Sequence, residues 1–266
     1  MPKVTVNDVE IAYAVHGEGE PVIFINGYTN VKEAWGKVTE EVSKHFRVIT
    51  FDNRGVGESS VPLPDFTIAD MAADTVGLMD ALQIDSANIF GVSMGGLIAQ
   101  ILLLDYPDRV KKAILGCTSH GGRHAVQPSK EVFAILAANS DPTKTPEEIV
   151  RNKVPIIYSD RFVREEPERL EELIRRSLKY FPSPEGSKGQ MNALSKFNVK
   201  RRLHEIDCPV LAVTGSADRM MPPENAALLA ERIPGAKKIV IEGAGHSFYS
   251  EKPDEVIRIL IDFFKN

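Results

Sequence analysis

One segment constrains this chain more than any other: Asn88-Ile89-Phe90-Gly91-Val92-Ser93-Met94-Gly95-Gly96, followed by the apolar stretch Leu97 to Leu104. A short β-branched run enters a glycine-flanked serine, and a helix leaves it. A strand can pass into a helix this abruptly only if the serine takes up a strained backbone conformation. Side chains two positions before and two after it would then collide, and both places hold glycine, Gly91 and Gly95. The turn also sets Ser93 at the N-terminal end of the helix, where unpaired N–H groups and the helix dipole favour developing negative charge. Gly-x-Gly-x-x-Gly spacing is absent, and no Gly-Lys-Ser/Thr follows, so a nucleotide site is not expected.

The same alternation runs through most of the chain. Apolar runs at Val4-Val6, Val9-Val15, Val22-Ile25, Arg47-Phe51, Asn88-Gly91, Lys112-Leu115, Val210-Thr214 and Lys238-Ile241 are separated by helical stretches. This predicts an α/β fold: an eight-stranded, mostly parallel sheet covered by helices on both faces. Asn7-Asp8 reads as a tight hairpin turn. Thr67-Ile68-Ala69-Asp70 resembles a capping box ahead of the run to Leu82, and Pro253 stands in the first turn of a C-terminal helix. Between Thr118 and Leu203 no strand is evident. Thr145-Pro146-Glu147-Glu148 opens one helix there, and Pro167 to Lys179 is another. The expected organisation is a core of residues 1–117 and 204–266 with a helical cap, 118–203, inserted between strands six and seven. With 266 residues, 43% hydrophobic and 26% charged, the chain can bury the core this requires.

A serine becomes a nucleophile when a base takes its proton. Of six histidines, His246 alone follows a late strand in a small-residue loop, Gly243-Ala244-Gly245-His246-Ser247, from which an imidazole can reach a serine on another strand end. His16 and His45 read as surface residues; His120 and His124 flank Gly121-Gly122, where a place on a pocket rim is open to them. Asp218, in the turn Gly215-Ser216-Ala217-Asp218, is positioned to accept the imidazole N–H and fix its tautomer. It could instead cap the helix near Pro222, and Asp141 in the insertion is its nearest competitor. Two backbone N–H groups should face the oxyanion: that of Met94, directly after the serine, and that of Tyr28, in the loop Asn26-Gly27-Tyr28-Thr29-Asn30.

With these residues in their order, serine then aspartate then histidine, the chain resembles the α/β-hydrolase superfamily from Val4 to Phe264. Phe51-Asp52-Asn53-Arg54-Gly55-Val56-Gly57-Glu58-Ser59 is similar to the Asp-x-Arg-Gly-x-Gly-x-Ser turn of its small-lid branch. That branch contains carboxylesterases, enol-lactonases of aromatic degradation, cofactor-free haloperoxidases and carbon–carbon bond hydrolases. Asp52 and Arg54 read as scaffolding. The resemblance departs at Asn26-Gly27, where the family usually has His-Gly; since the donor is a backbone N–H, an Asn-Gly turn should serve. A serine at position 93 resembles the esterase side of the superfamily rather than the branches with aspartate or cysteine there.

The resemblance therefore implies a serine esterase acting on a small carboxylic ester through an acyl-enzyme, with no cofactor and no metal. Enol-lactonase or carbon–carbon hydrolase activity is the alternative, and would call for a cation at the cap from Arg123, Arg161 or Lys188. A perhydrolase reaction needs the same three side chains; a receptor that binds ligand without turnover is the non-enzymatic alternative. The net charge of −5, with no basic stripe interleaved with aromatics, argues against nucleic acid as a partner. No apolar run approaches a membrane span, and none near Met1 makes a signal-peptide core. Cys117 and Cys208 read as reduced core thiols, which fits the cytoplasm. Oligomeric state is left open.

Overall fold

The computed structural model describes residues 2–62, 65–139, 141 and 143–266. Eight strands, β1 (Lys3–Val6), β2 (Val9–His16), β3 (Pro21–Ile25), β4 (Arg47–Phe51), β5 (Ala87–Val92), β6 (Val110–Gly116), β7 (Val210–Gly215) and β8 (Lys237–Ile241), form one sheet in the order β1-β2-β4-β3-β5-β6-β7-β8. β2 runs antiparallel to both its neighbours, and every pairing from β4 to β8 is parallel. The sheet is thus the expected one, with several strands a residue or two longer at their ends.

Side chains alternate across the central strands, as the pleat requires. Ile23, Ile25, Ile49, Phe51, Ile89, Leu115 and Ala212 face one apolar layer, while Val22, Phe24, Val48, Phe90, Ile114 and Val213 face the other. The first layer is closed by α2 (Ile68–Ala81) and α3 (Met94–Asp105); the second takes α1 (Lys37–Val42) and the chain around Trp35. Trp35 lies against the rings of Phe24, Phe90 and Tyr249. At α2, Thr67 accepts from Asp70 N and the Asp70 carboxylate returns the bond to Thr67 N, the reciprocal cap predicted for that segment.

Between β6 and β7 the described residues form the α-helices α4 (Lys130–Ala138), α5 (Pro146–Ile157), α6 (Asp160–Glu165), α7 (Pro167–Lys179) and α8 (Pro184–Ser195). Thr145 and Glu148 make the second capping box, at the start of α5. Phe162, Leu170, Leu173 and Ile174 give this region a small core of its own. Its tail does not belong to that core: Ala193, Phe197, Val199 and Leu203 pack into the layer under the sheet. The chain ends through α9 (Glu224–Arg232) after β7, then α10 (Phe248–Glu251) and α11 (Pro253–Lys265) after β8. Cys117 is buried as expected, but Cys208 is only half-buried, at the margin of the core. Among the described residues no helix is long and apolar enough to cross a membrane.

Candidate active site

Ser93 joins β5 to α3 at φ 57°, ψ −119°, a conformation that L residues avoid. The close approaches that demand glycine around it are explicit. A Cβ on Gly91 would strike the carbonyl oxygen of Gly95, and one on Gly95 would strike that of Ile25. Ser93 N donates to Gly116 O at 2.8 Å and Thr118 Oγ1 donates to Ser93 O at 2.8 Å, so the end of β6 fixes the turn from its far side.

That same strand end carries Cys117, whose sulfur, the Asp218 carboxylate and the His246 ring lie within 4.8 Å of one another. Asp218 Oδ2 is 2.9 Å from His246 Nδ1, while its Oδ1 accepts from Met220 N at 2.9 Å and Met221 N at 2.8 Å. The two readings of Asp218 are therefore not rivals: one oxygen holds its own turn and the other holds the imidazole. Both residues are buried, so the bond is shielded from solvent. In this state no hydrogen bond joins Ser93 Oγ to the imidazole among the described residues; such bonds often shorten only when substrate is bound. Cys117, Asp218 and His246 are three potential metal ligands. Burial first, and then the Asp218 charge, push the Cys117 thiol well above its usual range. Asp141 takes no part: it is exposed and spends its carboxylate on Thr143 N and Oγ1.

The loop after β3 lies directly over the serine. A Cβ on Gly27 would come within 3.0 Å of Ser93 Cβ and 3.5 Å of its Oγ. Among the described residues no acceptor takes the N–H of Tyr28 or of Met94. Asn26 supplies the loop's internal brace, Nδ2 donating to Val31 O at 2.9 Å, and Asn53 Nδ2 donates to Asn26 O at 3.1 Å. The Asp52 carboxylate accepts from Lys32 N at 2.7 Å, Glu58 N at 3.0 Å and Lys32 Nζ at 2.9 Å, and Arg54 grips Asp74 with two bonds of 2.5 and 2.6 Å. These contacts are all internal to the scaffold, as expected of that turn.

Several residues at the site escaped the sequence reading. Gln190 of α8 is buried, with Oε1 accepting from Thr29 N at 2.8 Å and Nε2 donating to Arg54 O at 3.0 Å. Glu251 of α10 accepts from Gly245 N at 3.0 Å, Ser159 N at 3.0 Å and Ser159 Oγ at 2.6 Å, binding the His246 loop to the start of α6. Lys153 of α5 places Nζ 5.9 Å from the centre of the Tyr28 ring. His120 is buried with Nδ1 2.8 Å from Gly121 O, and His124 is exposed. Of the three cations expected at a cap pocket, Arg123, Arg161 and Lys188 are all exposed.

Comparison with known proteins matches this arrangement. The sequence profile of the alpha/beta hydrolase fold covers residues 20–148 and 158–253. RutD of Azorhizobium caulinodans, provisionally named a carbamate hydrolase, is 27% identical over 99% of this chain and 98% of its own length. The crystal structure of the enol-lactonase from Burkholderia xenovorans LB400 superposes with a TM-score of 0.88 at 26% identity, covering 100% of both chains. A thermophilic esterase from Thermogutta terrifontis gives 0.86 at 28% identity, covering 99% of this chain and 97% of that one. With the strand order, the serine turn and the profile in agreement over most of its length, this chain belongs to the α/β-hydrolase fold family, in its small-lid branch, among relatives that are hydrolases.

Proposed function

We propose that this protein cleaves small carboxylic esters by transferring the acyl group to Ser93. His246 removes the serine proton as Oγ attacks the ester carbonyl. Asp218 holds the imidazole by Nδ1 and stabilises the imidazolium that forms. The N–H groups of Tyr28 and Met94 receive the oxyanion. Collapse of the tetrahedral intermediate expels the alcohol, which takes its proton from His246; water then repeats the sequence on the acyl-enzyme and returns the acid. The observation that carries this reading is the buried 2.9 Å contact between His246 and Asp218, set against the same strand end that bonds Ser93. The cap would be residues 118–203, roofing the serine. Two free cysteines fit a reducing cytoplasm. The chemistry asks for no cofactor and no nucleic acid.

A lactone is an ester closed into a ring, and a carbamate carbonyl accepts the same nucleophile, so the enol-lactonase and the RutD protein mark neighbouring substrates rather than a different mechanism. The test is hydrolysis of a 4-nitrophenyl ester series by wild type and Ser93→Ala, with fluorophosphonate labelling alongside. Turnover should fall by about four orders of magnitude or more in the variant, and labelling should vanish. Near-normal turnover by Ser93→Ala would overturn the assignment.

A further inference from the structure

Helix α5 touches three of the four segments that carry the site: the histidine loop, the aspartate turn and the Tyr28 loop. Its end meets the histidine loop, where Ser247 N donates to Ile157 O at 3.0 Å, and Arg219, beside Asp218, donates to Pro155 O at 3.0 Å. One turn earlier, on the face it shares with Ile157, Lys153 reaches over Tyr28. Tyr28 is itself fixed, its hydroxyl donating to Ser187 O at 3.2 Å, and its neighbour Gly27 lies against Ser93. The ammonium thus stands over the ring of the residue that follows the glycine lying against Ser93.

Lys153 differs from Arg151, Arg161 and Arg164 of the inserted helices. Arg151 has Glu147 and Glu171, Arg161 has Glu165, and Arg164 also reaches Glu165. Lys153 pairs with no carboxylate among the described residues, and these include every Asp and Glu of the chain. Burial by itself lowers its pKa, with no charged neighbour contributing. A cation drawn out of water without a counter-ion is costly, and the face of one aromatic ring offsets only part of that cost.

We propose that Lys153 binds a carboxylate on the substrate, so that the natural ester or lactone carries a second, ionised carboxyl group a few carbons from the bond cleaved. This rests on the serine-hydrolase reading above and narrows it from small esters in general to acid-bearing ones. The anion would bridge the Lys153 ammonium while the carbonyl lies under Tyr28, replacing lost hydration with a direct ion pair.

Protection of Ser93 from fluorophosphonate tests this without a known substrate. Butyrate and glutarate should slow labelling of the wild type at concentrations at least tenfold lower than butyramide and glutaramide do. Lys153→Met should erase that difference, and Lys153→Arg should restore part of it. The ratio of kcat/KM for the mono-4-nitrophenyl ester of glutaric acid over 4-nitrophenyl butyrate should likewise drop about tenfold or more in Lys153→Met, through KM. Removing a half-buried charge that has no counter-ion should leave the variant melting no lower than wild type, which separates this role from a structural one. Equal protection by acids and amides in the wild type would overturn the proposal, as would an undiminished acid preference in Lys153→Met. Failure of fluorophosphonate to label Ser93 would instead strike the serine reading. In that case calorimetric titration of glutarate into wild type and Lys153→Met decides the Lys153 site by itself: heat lost in the variant supports it, and equal or absent heat overturns it.

Discussion

At the scale of single residues, the site depends on small polar groups used to hold backbone. Asn26 stands where the resemblance led one to expect histidine, and its amide closes the loop after β3 onto Val31 O, so the loop keeps its shape by a side-chain bond. Asn26→Ala removes that bond and leaves Val31 O with the bond from Ala34 N alone, a loss of about 1 kcal/mol. A urea titration should show the unfolding free energy falling by that amount and the midpoint falling with it, with ester turnover reduced as Tyr28 loosens; an unchanged midpoint would mean that the loop is held elsewhere. Ser93, Asp218 and His246 were legible one by one because each obeys a local rule: a glycine-flanked turn, a strand end, a loop of small residues. Lys153 also left a trace, interrupting the line Ile149, Lys153, Ile157 along one face of α5. Gln190 and Glu251 left none, since a buried amide or carboxylate is defined by partners far away in the sequence.

Among elements, the strands and capped helices were legible nearly to the residue, because periodicity and capping are local. How the inserted helices rest on the sheet was not, because their contacts join distant segments. Gly186 of α8 lies so close to Gly55 that a Cβ on it would overlap the Gly55 carbonyl oxygen. Glu251 does the corresponding work at the other side, tying α10 to the start of α6 and to the residue before His246. Glu251→Ala would strand two buried N–H groups and the Ser159 hydroxyl, a cost on the order of 2–4 kcal/mol. Thermal melting should fall by several degrees, and ester turnover should fall further than the melting shift accounts for. Retention of full turnover would show that the histidine loop keeps its place without this carboxylate.

For the molecule as a whole, the inserted helices cannot stand alone: four buried apolar residues make too small a core for independent stability. Their tail packs beneath the sheet, and α5 and α10 bind them to the strand ends. Unfolding should therefore be a single event. Trp35, the one tryptophan of the sequence, is buried in the apolar layer of Phe24, Phe90 and Tyr249 rather than in the small core of the insertion. Its emission should change at the same temperature as far-ultraviolet ellipticity; helical signal lost first, with Trp35 still buried, would show the insertion melting separately. Helix α5 also gives anyone who wishes to redirect this protein a place to begin. Because one short span meets the aspartate, histidine and Tyr28 loops in turn, exchanges within residues 146–157 alter what is admitted and how fast it reacts together. A library confined to that span should thus trade selectivity against speed while the sheet beneath stays untouched.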